Sequence, residues 1–175
     1  MKSKEVSRPI FIINGSGSKG KDQFVEDVNQ FISVYNVSSV DIIKEMARNV
    51  GWNGSKTEKD RKFLADLKTL CTEYNDSPYK YIFRCVIMFR NTSLQDAMFI
   101  HIREPKEIER AVKQFGAKTI LVKSDRVEDI KSNPADAGVY NYNYDYVIEN
   151  NGTLEDLKNK AEEFVNTVIK GEQNQ

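Results

Sequence analysis

Residues 9–31 limit most tightly what this chain can fold into. Pro9-Ile10-Phe11-Ile12-Ile13-Asn14 is a short apolar, β-branched run, the composition of a strand buried on both faces. Glycines and serines follow at once, from Gly15 to Gly20. Beyond them Phe24, Val25, Val28 and Phe31 recur at helical spacing. The order is therefore strand, glycine-rich turn, helix, and it aims a run of backbone amides and the positive end of a helix at one small volume.

Gly15-Ser16-Gly17-Ser18-Lys19-Gly20-Lys21-Asp22 fits the phosphate-binding spacing G-x-x-x-x-G-K, with Asp22 where Ser or Thr usually follows the lysine. Glycines let the chain curl so that successive N–H groups face inward on a polyphosphate. Lys21 is expected on the β- and γ-phosphates, and an oxygen at position 22 helps hold Mg²⁺. A carboxylate there is a harder, charged magnesium ligand than a hydroxyl. The expected ligands are a nucleoside triphosphate and Mg²⁺, with Gly15 through Asp22 as the binding segment.

The rest of the chain alternates in the same way. Ile32–Val37 reads as a second strand, and Ser38 or Ser39 caps a helix running to Asn49. Gly51–Ser55 breaks it. Lys56–Tyr74 reads as an amphipathic helix with Phe63, Leu67 and Leu70 on one face. After a turn at Asn75–Pro78, Tyr79–Arg90 reads as a helix, with a strand over Cys85–Phe89 as the alternative. Ala97–Arg103 is a central strand, Pro105 opens a helix that Gly116 closes, and Lys118–Lys123 is a further strand. Ser124–Asn143 is polar and loop-like. Tyr144–Glu149 is the last strand, and Thr153 caps a closing helix striped by Leu154, Leu157, Ala161, Phe164 and Val168. Such alternation implies a mostly parallel sheet covered on both faces.

Bulk properties exclude some classes of function. Twenty-six basic and 26 acidic residues cancel, so no overall field draws the chain to nucleic acid or a membrane. No apolar run approaches the ~20 residues of a membrane span, and Met1–Arg8 has no apolar signal-peptide centre; a cytoplasmic protein is expected. Cys71 and Cys85 lack metal-ligand spacing and are expected as packed free thiols.

The loop ending Gly20-Lys21-Asp22 resembles that of the nucleoside monophosphate kinase superfamily, and most nearly the phage-type deoxynucleoside monophosphate kinases and animal-type phosphomevalonate kinases. Val40-Asp41-Ile42-Ile43-Lys44-Glu45 resembles their acceptor-lining helix start, Ile100–Glu104 their third strand, and Asp145–Gly152 the strand and turn near the nucleotide base. The resemblance implies a single α/β domain over 1–175: a three-layer P-loop kinase fold with a five-stranded parallel sheet, an acceptor-binding insert at about 38–90 and a lid at about 125–144. It implies transfer of the γ-phosphoryl of ATP to a phosphate-bearing acceptor, a (deoxy)nucleoside monophosphate or another small phosphorylated metabolite. By position, Lys21 holds the β/γ-phosphates, Asp22 the metal shell, Arg103 the acceptor phosphate, and Arg126 closes from the lid. Where that family's third strand ends Asp-x-Arg-Arg, this chain has His101-Ile102-Arg103-Glu104. The second arginine is absent and the acid has moved, which makes Glu104 a further magnesium candidate and leaves a nucleotide-binding module without turnover as the alternative.

Other residues carry two readings each. Asp41 and Lys44 line the acceptor or serve helix-end electrostatics. Lys56, Lys59, Arg61 and Lys62 form a basic rim, with Arg61 an acceptor candidate, or a solvated helix face. Trp52 stacks on a base or anchors its loop. His101, the sole histidine, is structural or catalytic at the carboxyl end of a strand, where ligands of open α/β sheets gather. Tyr140, Tyr142, Tyr144 and Tyr146 alternate with other residues, as along an extended edge.

Overall fold

The computed structural model describes residues 8–126 and 138–173. Five strands form one wholly parallel sheet in the order β2-β3-β1-β4-β5. They are β1 (Ile10–Asn14), β2 (Val34–Ser38), β3 (Ala97–His101), β4 (Lys118–Lys123) and β5 (Tyr146–Glu149). The helices are α1 (Lys21–Val28), α2 (Asp41–Asn49), α3 (Glu58–Asn75), α4 (Ser77–Asn91), α5 (Pro105–Phe115), α6 (Leu154–Phe164) and a last turn α7 (Lys170–Gln173). A π-helical stretch, Val165–Ile169, joins α6 to α7.

The central strand β1 shows why there are three layers. All five of its residues are buried, and successive side chains point to opposite faces. Ile10 and Ile12 pack on one side with Ile82, Val86 and Phe89 of α4 and Ile108 and Ala111 of α5. Phe11 and Ile13 pack on the other with Phe24, Val25 and Val28 of α1 and Leu157, Ala161 and Phe164 of α6. Phe11 meets Phe99 and Phe164 at centroid distances of 5.2 Å each. Burying an aromatic or branched side chain of this kind is worth about 1.5–3 kcal/mol, so this strand anchors both layers.

The expected five-stranded α/β architecture is present, and the differences from expectation have local causes. Strand β2 begins at Val34, not Ile32, because Phe31 and Ile32 still donate to Val28 O in a helical turn while Asn29 Oδ1 caps Val34 N. Cys85–Phe89 is helix within α4, with Cys85, Val86 and Phe89 buried and Ile87 and Met88 exposed. In α3 the expected apolar face is not core: Phe63 and Leu70 are exposed and no residue of the helix is buried. Strand β3 ends at His101, two residues before Arg103. In α6, Leu154 is 73% exposed; the buried stripe runs Leu157, Ala161, Phe164, then Val165 and Ile169 of the π-helical stretch.

The tyrosines do not share one extended face. Tyr140 lies in a 3₁₀ turn, Val139–Asn141, Tyr142 and Tyr144 pack on the α4/α5 side, and Tyr146 packs on the α1/α6 side. The helix ends follow the sequence more closely, except at α2, whose N-cap is Val40 with no side-chain cap bond and not Ser38 or Ser39. Thr57 and Thr153 each form a capping box with the aspartate three residues on, Asp60 and Asp156. Gly116, at φ 65°, closes α5.

Helices α2, α3 and α4 lie between β2 and β3 and cover most of the segment expected as an insert. They pack on one another, and Cys71 Sγ touches Met46 Sδ at 3.8 Å. Cys71 and Cys85 are both free thiols. Of the expected lid, residues 127–137 lie outside the described residues. Among the described residues, no helix is long and apolar enough to cross a membrane.

Candidate functional site

The glycine-rich segment connects β1 to α1 at the carboxyl edge of the sheet, and each of its ends is fastened. Asn14 closes the strand fully buried. Its Oδ1 accepts the Gly15 N–H at 2.8 Å, and its Nδ2 donates to Arg103 O at 3.2 Å and to Tyr144 Oη at 2.8 Å. Tyr144 Oη donates onward to Val139 O at 2.8 Å. A polar residue at the end of an apolar strand is thus fully partnered, and it ties the loop's entry to the ends of β3 and β5.

The loop itself turns on two residues with positive φ, Ser18 at 62° and Gly20 at 94°. Lys19 N–H donates to Ser16 O at 3.4 Å inside the turn. No side chain fits at Gly15 or Gly20 without displacement: a Cβ would lie 2.6 Å from Val122 O at the first and 2.4 Å from Asn150 Nδ2 at the second. The Lys19 side chain, expected among the phosphate ligands, is 3% exposed and donates from Nζ to Ser124 O at 2.6 Å. It braces the loop against the end of β4. Asn150 Nδ2 donates to Lys19 O at 3.0 Å and braces the other flank.

Ser16 Oγ is buried without a hydrogen-bond partner among the described residues. A buried hydroxyl left unpaired costs about 1–3 kcal/mol, and an anionic oxygen in the loop would accept from it. This orphaned group, the glycine cradle and Lys21 at the first position of α1 fit a polyphosphate. Asp22, next to Lys21, has a side chain 78% exposed, an oxygen donor able to take a hard dication beside that phosphate.

The expected site residues divide into two groups. His101, at the end of β3, gathers Asp22, Lys21, Asp41 and Lys44 around it. Burial, the largest influence, pushes its imidazole down to about 4; Asp22 and Asp41 oppose that shift, while Lys21 and Lys44 add to it. The ring is therefore neutral at pH 7. Its Nδ1 is 3.6 Å from Asp22 Oδ1 and its Nε2 is 2.9 Å from Asn36 Oδ1. Asp41 also accepts from Ser38 N–H at 2.7 Å and lies 3.9 Å from Lys44 Nζ, so it shapes the β2–α2 turn. The Arg103 backbone is held to Asn14. Arg126 Nη2 donates to Asn150 O and Oδ1 at 3.2 and 3.4 Å, which links it through Asn150 to the loop.

Two candidates stand apart. Arg61 is exposed on α3 and donates from Nε to Lys56 O at 3.2 Å. Glu104, expected as a magnesium candidate, has another partner: Lys68 Nζ of α3 sits 2.5 Å from its Oε1 and 3.5 Å from Glu107 Oε2. Burial pushes Glu107 up to about 7, with Lys68 opposing and Glu104 adding to the shift. Trp52 donates from Nε1 to Ser55 O at 3.0 Å under Arg48, so it anchors its loop. Sequence reasoning missed Asn14, Tyr144 and Asn150 as individual supports. Their one visible signal was polarity at strand ends.

With this geometry in hand the chain can be placed among known proteins. Neither a protein-family model nor a curated protein matches it. Solved structures do. TT1252 from Thermus thermophilus has a TM-score of 0.50 at 16% identity, covering 91% of this chain and 97% of that one. Shikimate kinase from Aquifex aeolicus gives 0.51 at 9%, covering 93% and 99%. Dephospho-CoA kinase from Campylobacter jejuni gives 0.53 at 17%, covering 93% and 98%. The chain has the P-loop kinase fold. At these identities the likeness shows the fold alone, and in that fold residues 15–22 occupy the turn after the first strand.

Proposed function

We propose that the chain is an ATP- and Mg²⁺-dependent phosphotransferase whose acceptor is a (deoxy)nucleoside monophosphate. The observation that carries this reading is the braced loop 15–22, with a buried Ser16 hydroxyl inside it that has no partner among the described residues and Lys21 at its end. The neighbours named as kinases of shikimate and of dephospho-CoA support phosphoryl transfer on this fold, and they differ in substrate, so another small phosphorylated metabolite stays open as the acceptor.

The γ-phosphoryl passes from ATP to an acceptor phosphate oxygen, breaking the bond to the β-phosphate and releasing ADP. Such a transfer needs positioning and charge neutralisation more than covalent chemistry. Loop amides and Lys21 hold the β- and γ-phosphates, Arg103 takes the acceptor phosphate through its bidentate fork, and Arg126 closes on the transferring group. Asp22 would hold the cation, which would supply neutralisation of the charge that develops on the phosphate oxygens. One observation favours a nucleotide-binding module without turnover: Glu104, the only acid beside Arg103 in the third-strand motif, is engaged by Lys68.

A coupled assay for ADP, run with Mg·ATP against a panel of nucleoside and deoxynucleoside monophosphates and non-nucleotide phosphates, tests the proposal. ADP released with a monophosphate and lost in Lys21→Ala supports it. ATP binding with no ADP above background for any acceptor overturns it in favour of the module.

A further inference from the structure

The end of β3 and the first turn of α1 present a second departure from an all-oxygen magnesium seat. Asp22 faces His101 across 3.6 Å, Oδ1 to Nδ1. On the far side of the ring, Nε2 lies 2.9 Å from Asn36 Oδ1, an oxygen with no hydrogen to give, so Nε2 carries the ring hydrogen. Nδ1 is then the ring nitrogen that faces the carboxylate oxygen, and a dication seated between the two would bond to both.

We infer that Asp22 and His101 together form the protein's half of the metal seat, and that this mixed oxygen–nitrogen seat takes a first-row transition dication in preference to Mg²⁺. The inference rests on the proposed nucleotide site, because phosphate oxygens and water must fill the remaining positions.

Three features support it. With bonds of about 2.1 Å to each ligand, a 3.6 Å span subtends roughly 120° at the cation. A shift of about 0.6 Å by the Asp22 carboxylate narrows this to the right angle of an octahedral site, and that carboxylate is 78% exposed and able to move. The imidazole is held in place, because His101 is a sheet residue paired with Ser38 and Ile13 and its side chain is 13% exposed. Metal-ligating histidines regularly donate the other ring N–H to an oxygen that fixes tautomer and orientation; Asn36 Oδ1 occupies that position. Donor chemistry then sets the preference, since Mg²⁺ takes oxygen ligands and keeps its waters, whereas imidazole suits later dications.

Pulsed electron paramagnetic resonance on Mn²⁺ tests this directly. Tag-free protein labelled with ¹⁵N only at histidine carries a single labelled side chain, because His101 is the sole histidine. In the presence of ADP, bound Mn²⁺ is expected to show ¹⁵N coupling of a directly ligated imidazole. His101→Gln is expected to lose that coupling and at least tenfold in Mn²⁺ affinity, with Mg²⁺ affinity nearly unchanged. ADP binding by calorimetry with no ¹⁵N coupling overturns the inference and leaves the nucleotide site standing. No ADP binding at all overturns both. The labelled wild-type measurement decides the matter even if His101→Gln does not fold.

Discussion

Replacing Gly20 by alanine isolates the conformation on which the phosphate loop depends. Gly20 sits at φ 94°, where an L side chain is strained by about 1–2 kcal/mol. The new Cβ would lie 2.4 Å from Asn150 Nδ2 and force that amide away from Lys19 O, its partner at 3.0 Å, which costs about 1 kcal/mol more. The sum is about 2–3 kcal/mol, and for a chain of this size it lowers Tm by roughly 5–10 °C. The two parts separate in a double-mutant cycle with Asn150→Ala. Without the amide only the backbone strain remains, so Gly20→Ala in that background costs about 1–2 kcal/mol and the coupling is about 1 kcal/mol. Urea unfolding followed by circular dichroism reads all four variants. A cost below about 0.5 kcal/mol for Gly20→Ala, or the same cost in both backgrounds, would refute the reasoning.

Three further outcomes follow from named contacts. Burial raises Glu107 to about 7, so the folded chain holds that proton more tightly than the unfolded chain. The stability this gives is complete below about pH 4.5 and is lost as pH rises through 7; Glu107→Gln should flatten the urea midpoint between pH 5 and pH 8, and an unchanged slope contradicts it. Tyr144→Phe removes the hydroxyl shared by Asn14 Nδ2 and Val139 O and should cost about 1–3 kcal/mol in thermal denaturation, because it strands a buried donor at the loop entry. Thr153→Ala deletes the capping box of α6 and should cost about 1 kcal/mol, read in the same experiment; no loss of Tm shows that the cap adds nothing.

Much of the fold was legible because the strongest local signals agreed with the tertiary answer. β1 reads as buried on both faces in its residues, and it is. Pro105, Gly116 and Thr153 mark helix ends where the structure has them. Periodicity failed where burial was decided by neighbours not visible locally. The α3 stripe reads as core, yet α3 lies outside α2 and α4 and leaves Phe63 and Leu70 exposed. The candidate site shows the same division. The loop follows from spacing alone, but nothing local shows that Lys68, 36 positions away in sequence, meets the Glu104 carboxylate. His101 reads first as a structural histidine and second as a catalytic one, and the structure finds Asp22 and Asn36 on either side of its ring. Contacts of that range are set by the sheet order, which no local pattern encodes.

Calorimetric titration with Mg·ATP of the wild-type chain and of Lys21→Ala reaches the base of this account, the claim that the turn between β1 and α1 holds a triphosphate. Wild type should bind one nucleotide, and loss of the lysine should weaken binding about 10- to 100-fold, the range of a charge-assisted hydrogen bond, with the circular dichroism spectrum unchanged. Absence of binding by wild type, or equal affinity in the two proteins, would contradict it.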